Sequence, residues 1–227
     1  VYKISMWNRG NTSGVLNKAM SYVDSTFSDH GIFRIFWRSW GQLPGKMYRS
    51  NQPYPYQIKK AVKNYNIKSI INLRGERHCS SYYLEKNQCL SINLKIYNFP
   101  ISSRDIPDKN KLLGFKKLLD QVEYPCLMHC KSGADRAGLG AALYLIYKKD
   151  YSLIEASRQL NFKHLHLKFT KTGILDHFFS ELISKGINNK SDLLNWVSNN
   201  YDKDSLKNNF KNYTLLDAFF NFFLRRE

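Results

Sequence analysis

An α/β domain with a central, mostly parallel sheet flanked by helices, extended at its C-terminus by further helices, is the fold this 227-residue sequence predicts. Three observations point to it. Strand-like and helix-like stretches alternate from residue 58 onward, the pattern of helix-connected parallel strands. A short apolar run, "YPCLMHC" at 124–130, turns directly into an apolar helix, "AGLGAALYLIYKK", from 137. The 43% of hydrophobic residues supply enough apolar surface for one large core.

Residues 1–40 read as an N-terminal extension, 41–180 as the core, and 181–227 as a helical extension packed on that core. In the first segment, "HGIFRIFWRSW" interleaves Ile32, Phe33, Ile35, Phe36, Trp37 and Trp40 with Arg34 and Arg38. Burial of these aromatics against the domain is preferred to a nucleic-acid or lipid face. Pro44, Gly45 and Pro53 set turns around a short extended piece. "IKKAVKNYN" at 58–66 is a short helix and "IKSIINLRG" at 67–75 a buried strand closing on glycine. "LSINLKIYNFP" at 90–100 reads as another strand, stopped by Pro100. The polar stretch "ISSRDIPDKN" is then a surface loop carrying Asp105 and Asp108. Leu112, Leu113, Phe115, Leu118 and Leu119 recur at helical spacing over 111–122. Near the end, Leu216, Phe219, Phe220 and Phe223 form an apolar stripe, read as packing on the core with a membrane-surface or partner-binding role as the alternative.

The net charge of +17 favours an anionic partner: a phosphorylated substrate, with peripheral contact to an anionic membrane as a further expectation. Part of the lysine excess follows the Asn, Lys, Ile and Tyr bias of the whole chain, so nucleic acid is not the favoured partner. No apolar run reaches the roughly 18 residues of a membrane span. The chain opens on Val1, so a leader or anchor removed upstream stays an expectation, and compartment and oligomeric state stay open. Four cysteines in this length are no disulfide framework, although an oxidising compartment would allow a Cys79 to Cys89 bridge.

The chemistry concentrates in "HCKSGADRAG" at 129–138. A cysteine acts as a nucleophile only as thiolate, and its free pKa of about 8.5 keeps it protonated at neutral pH. A strand-to-helix turn supplies positive potential through converging backbone N–H groups and the helix N-terminus. Cys130 is therefore the candidate nucleophile. Lys131, Ser132, Gly133, Ala134, Asp135 and Arg136 form the candidate phosphate cradle, with Gly133 permitting close backbone approach and Arg136 a two-toothed phosphate donor. His129 braces the loop. A second group must protonate the departing oxygen: Asp105 comes first, Asp108 behind it and Asp135 third. His164 and His166 stand among lysines without neighbouring ligands, and read as a basic rim or a solvated loop. Arg49, Arg74, Arg77 and Arg104 are candidates for the mouth of the same site. No metal or cofactor is called for.

"HCKSGADR" resembles the signature loop of the cysteine-dependent protein tyrosine and dual-specificity phosphatases. "MYRSNQP" and "IKSIINLRGE" are similar to segments of their smaller, atypical bacterial, plant and fungal members, the bacterial atypical dual-specificity-like branch among them. The resemblance implies their fold and metal-free hydrolysis of phosphomonoesters by Cys130 and Arg136 through a thiophosphate intermediate, with an aspartate from an upstream loop. Two departures stand out. Ala137 occupies the place where the family usually carries Ser or Thr, and Asp105 lies nearer the cysteine than is common. Lys131 beside the nucleophile and Asp135 before the arginine resemble branches acting on phosphoinositides and other phosphorylated lipids, which puts a lipid, inositol or phosphosugar headgroup, lipid A included, ahead of phosphoprotein. A catalytically weak phosphate binder is the competing class.

Overall fold

The computed structural model describes residues 8–29, 31–36, 38–208 and 210. Two helices open the described chain, α1 (Gly14–Phe27) and α2 (Gly31–Phe36). A hairpin follows, β1 (Gly41–Leu43) and β2 (Met47–Asn51), and then α3 (Pro55–Tyr65), β3 (Ser69–Asn72), α4 (Ser80–Ser91) and β4 (Lys95–Asn98). The chain continues through α5 (Lys109–Gln121), β5 (Cys126–Cys130), α6 (Asp135–Lys149) and α7 (Leu153–Ser157) to α8 (Ile174–Ser184), α9 (Lys190–Asn199) and α10 (Lys203–Lys207).

The strands form one sheet in the order β1-β2-β5-β3-β4, parallel except at the β1 edge. β5 lies in the middle, and every residue of Cys126–Cys130 is buried. That explains its unbroken apolar run, because a central parallel strand is covered on both faces. Alternate residues divide between two cores: Met128, Ile71 and Met47 face α5, α6 and α8, whereas Leu127, Ile70 and Tyr48 pack with Ile58 and Ala61 of α3 and Cys89 of α4. In register, Asn51 of β2 lies beside Cys130 and Asn72 of β3 beside His129, so the C-terminal ends of three parallel strands meet where β5 turns into α6. Ligands of open α/β sheets bind at such an edge.

Two sequence expectations need revision. The strand read over 90–100 is confined to Lys95–Asn98, because Leu90 and Ser91 complete α4. The buried positions of α4 include Ser80, Ser81, Glu85 and Gln88, which leave no apolar periodicity to read. Cys79 and Cys89 are free thiols, one at the start and one near the end of this helix; ten residues span about 15 Å of axis, too far for a disulfide. No described helix is long and apolar enough to cross a membrane. The stripe Leu216, Phe219, Phe220 and Phe223 lies outside the described residues, as do the side chains of Phe33, Ile35, Phe36 and Trp37.

Candidate active site

Cys130 ends β5, 2% exposed, and the chain curls through Lys131–Ala134 into α6. The Gly133 N–H donates to Cys130 Sγ at 3.3 Å. Gly133 has φ 76°, and a Cβ there would lie 2.6 Å from Ser39 Cβ and 2.7 Å from the Asn51 nitrogen, so only glycine lets the loop approach β2 and the segment before β1 this closely. The N-terminus of α6, a helix of 15 residues, adds its positive end to the same concavity.

What keeps the N–H groups facing inward is the grip on the loop's carbonyls from behind. Arg49 on β2, fully buried, donates to the carbonyls of Gly133 at 2.8 Å and Ala134 at 3.1 Å, and its other nitrogen reaches the Gln159 backbone at 2.9 Å. Burial pulls the Arg49 pKa down to about 10, while the charges of Cys130 and Asp135 oppose that fall. Ser39 Oγ donates to the Gly133 carbonyl at 3.2 Å. A hydroxyl has one proton, so its 3.0 Å contact with His164 must be a donation from Nδ1–H. Burial, with Arg49 and Lys163 nearby, lowers the His164 pKa to about 4, so the ring is neutral.

A second support enters from α4. Glu85 Oε1 lies 2.5 Å from His129 Nε2 with both side chains wholly buried, and Gln52 donates to the other Glu85 oxygen at 2.8 Å. Gln52 also accepts from Arg34 at 3.2 Å and from Arg74, and its backbone N–H donates to the Lys131 carbonyl at 3.3 Å. Arg34 and Arg74 meet on Asp29 at 3.1 Å and 2.9 Å, and Lys131 Nζ approaches the same carboxylate at 3.5 Å. Burial pushes the Asp29 carboxyl up, but Arg74 and Arg34 overcome it and hold the pKa well below the usual range. The residues read as an N-terminal extension thus contribute Asp29, Arg34 and Ser39 to the frame of the loop. A buried polar network of this kind is stabilising only when each member is engaged.

The aspartates separate. Asp135 accepts from His166 Nδ1 at 2.7 Å, and His166 Nε2 donates to Asp176 at 2.6 Å. Both ring nitrogens donate, so the ring is an imidazolium. Burial lowers its pKa, but the bonds to Asp135 and Asp176 outweigh that and raise it to about 9. Asp105 is held by Lys203 at 2.7 Å and Lys207 at 2.5 Å; burial works against the charge, yet the two lysines keep the pKa below the ordinary value. Asp108 caps α5 and pairs with Lys203 at 2.7 Å. Tyr201, between α9 and α10, donates to the Pro107 carbonyl, so the C-terminal half of the 101–109 loop is held by this end of the described chain.

Several arginine and histidine expectations change accordingly. Arg49 and Arg74 do not line a mouth: they are 0% and 5% exposed and fasten the loop's underside. His164 and His166 are no basic rim, being buried supports at 8% and 3%. Glu85, Gln52, Asp29 and Ser39 escaped sequence reasoning altogether. The one legible signal for Glu85 was a polar stripe at helical spacing, Ser81, Glu85 and Gln88, on a helix otherwise short of apolar residues.

His166 makes stability depend on pH. Its folded pKa of about 9 exceeds the ordinary 6.5, so its contribution is fully present below 6.5 and is lost as pH rises through 9. Unfolding free energies from urea titrations are expected to fall across that window by an amount on the order of 3 kcal/mol, and His166→Gln flattens the slope. An unchanged slope in that variant rules the group out as its source.

A buried cysteine at the C-terminal edge of a parallel sheet, the Gly133 N–H on its sulfur and an arginine six residues on lie within a stretch of the chain that is similar to known phosphatases. Residues 43–147 match the model of the tyrosine phosphatase family. Inositol diphosphatase DSP3 of Arabidopsis thaliana is 33% identical over 99 residues, 40% of this chain and 46% of that protein, so the chain spans about half the length of that relative. Among solved structures, the core catalytic domain of the PP-IP phosphatase SIW14 from S. cerevisiae, in complex with citrate, has a TM-score of 0.47 at 20% identity, covering 65% of this chain and 92% of that one. TpbA from P. aeruginosa has a TM-score of 0.46 at 18% identity, covering 80% and 91%.

Proposed function

We propose that the chain hydrolyses a phosphorylated lipid, inositol or phosphosugar headgroup in two steps through Cys130. In the first, Sγ bonds to phosphorus as the P–O bond to the leaving group breaks, and the departing oxygen takes up a proton. In the second, water attacks phosphorus, the P–S bond breaks, and inorganic phosphate and the thiolate are released. Arg136 and the N–H groups of 131–136 hold the equatorial oxygens. The observation that carries the reading is the Gly133 N–H on Cys130 Sγ in a loop whose carbonyls are turned outward by Arg49 and Ser39. The inositol class is supported by the name of the Arabidopsis relative and by the net charge of +17.

The aspartates refine the leaving group. A general acid must carry its proton, whereas Lys203 and Lys207 favour the charged form of Asp105. Groups that depart with little protonation, such as the phosphate leaving a diphosphate, fit this arrangement better than an alkoxide. The test is a phosphate-release panel: inositol phosphates and diphosphates, phosphoinositide vesicles, a phosphosugar lipid, phosphotyrosine peptides and a small aryl phosphate. The highest kcat/KM is expected on the inositol compounds, with diphosphates ahead of monophosphates. Faster turnover of phosphotyrosine peptides would move the chain to the protein phosphatases, and release from none of them would overturn the hydrolase reading.

A further inference from the structure

Some lysines pair with a carboxylate: Lys86 with Glu76, Lys95 with Glu123, Lys116 and Lys148 with Asp120. Helix α3 is different. "PYQIKKAVKNY" carries no acidic residue, and among the described residues Lys59, Lys60 and Lys63, with the nearby exposed Arg38, make no ion pair. Between α3, the end of β2 and the segment before β1 lies a cavity of about 260 Å³ that Arg38, Trp40, Asn51, Gln57, Lys60 and Tyr65 help to line. Two unpaired cations therefore share one concavity with two rings, one amide from α3 and one from β2.

The aromatic wall is fixed before any ligand arrives. Trp40 stacks on Tyr65 at 4.9 Å between centroids, and Tyr48 backs both at 5.5 Å and 5.1 Å. Leu127, Ala61 and Ser50 form a closed floor, all buried. The cavity belongs to the α3 face of the sheet, whereas Cys130 belongs to the core on the other face. Its volume lies just under the roughly 300–1,000 Å³ of ordinary small-ligand sites, which suits a single ring with its substituents. Rings offer a flat wall to the C–H face of a polyol, an arginine and a lysine offer charge-assisted bonds to phosphate, and carboxamides serve hydroxyls.

We propose that this cavity is a second anion site, distinct from the Cys130 loop, that takes a phosphorylated polyol ring with the ring against Trp40 and Tyr65 and its phosphate at Arg38 and Lys60. The site is not catalytic, since no nucleophile lines it. The ring is either free in solution or the headgroup of a lipid; the recognition chemistry is the same. The proposal stands apart from the hydrolase reading, because it uses none of the residues of the loop.

The experiment separates the two sites. Arg136→Ala weakens the loop's hold on phosphate, and in that background calorimetry with inositol hexakisphosphate is expected to retain one binding event per chain. Adding Arg38→Ala and Lys60→Ala weakens that event about tenfold or more. Lys86→Ala with Lys95→Ala removes the same formal charge elsewhere and is expected to leave it within twofold. Co-sedimentation with phosphatidylcholine vesicles, with and without a phosphatidylinositol phosphate, assigns the source. Binding to the doped vesicles that the Arg38 and Lys60 changes abolish identifies a headgroup, and binding of the soluble probe alone identifies a free ring. Loss of all binding on Arg136→Ala, or equal weakening by the two double changes, overturns the proposal. Circular dichroism and thermal midpoints of each variant confirm that the fold is retained.

Discussion

Cys130→Ser lowers phosphate release from the best substrate by at least about 10³-fold and leaves anion binding largely in place. A serine hydroxyl has the size of the thiol but a far higher pKa, so the N–H groups that favour a thiolate do not yield an alkoxide at neutral pH. The loop itself should persist, because its fastenings are elsewhere. Gly133 and Ala134 are held through their carbonyls by Arg49, and His129 is placed by Glu85. Wild type and variant should therefore bind a slow substrate with similar affinity and differ in kcat. Acid-quenched mass spectrometry of the wild type is expected to find a phosphoryl increment on the peptide containing Cys130. Ala137, fully buried, offers no hydroxyl to assist departure of the thiolate, so the second step is expected to be slow and the first turnover to appear as a burst. Appreciable turnover by Cys130→Ser would place the nucleophile elsewhere.

The parts of this molecule that were legible in sequence share one property: their pattern is dictated locally. A central parallel strand must be apolar on both faces, so "CLMHC" and "SIIN" announce themselves, and α5 shows the 3.6-residue period of a helix with one buried face. Cys130, Gly133 and Arg136 stand out in the sequence for the same reason, since the candidate cradle lies within one loop. The supports are not local. Arg49 and Gly133 are 84 residues apart, and Ser39 and Gly133 are 94. An arginine at a strand end looks the same in sequence whether it faces a ligand or the back of a loop. Only the register of β2 against β5, Asn51 beside Cys130, places Arg49 beneath the turn. The first candidate for the acid is the reverse case. Asp105 reads well from its loop, but its charge state is decided by Lys203 and Lys207, about 100 residues downstream on a helix of five residues.

That distinction makes Arg49 the sharper test of how the fold produces the site. Arg49→Met keeps the buried volume and removes the donors, leaving the Gly133 carbonyl to Ser39, the Ala134 carbonyl to the Gly138 N–H and the Gln159 carbonyl without its arginine bond. Losing several such bonds costs about 3 kcal/mol, roughly 6–12 °C of melting temperature for a chain of this size. The larger effect is on rate. Carbonyls held by one donor in place of two are less firmly turned away from the phosphate, and a shift of about 1 Å at the reacting centre lowers kcat on the order of 10²-fold. Arg49→Lys keeps a charge but not the planar fork that holds two adjacent carbonyls, so it should recover part of the stability and little of the rate. A purely structural role predicts otherwise: a lowered melting temperature, kcat within twofold of wild type below the transition, and full rescue by cooling. Measuring kcat and KM for both variants well below their midpoints decides between the two, because a displaced cradle lowers kcat at every temperature at which the protein is folded.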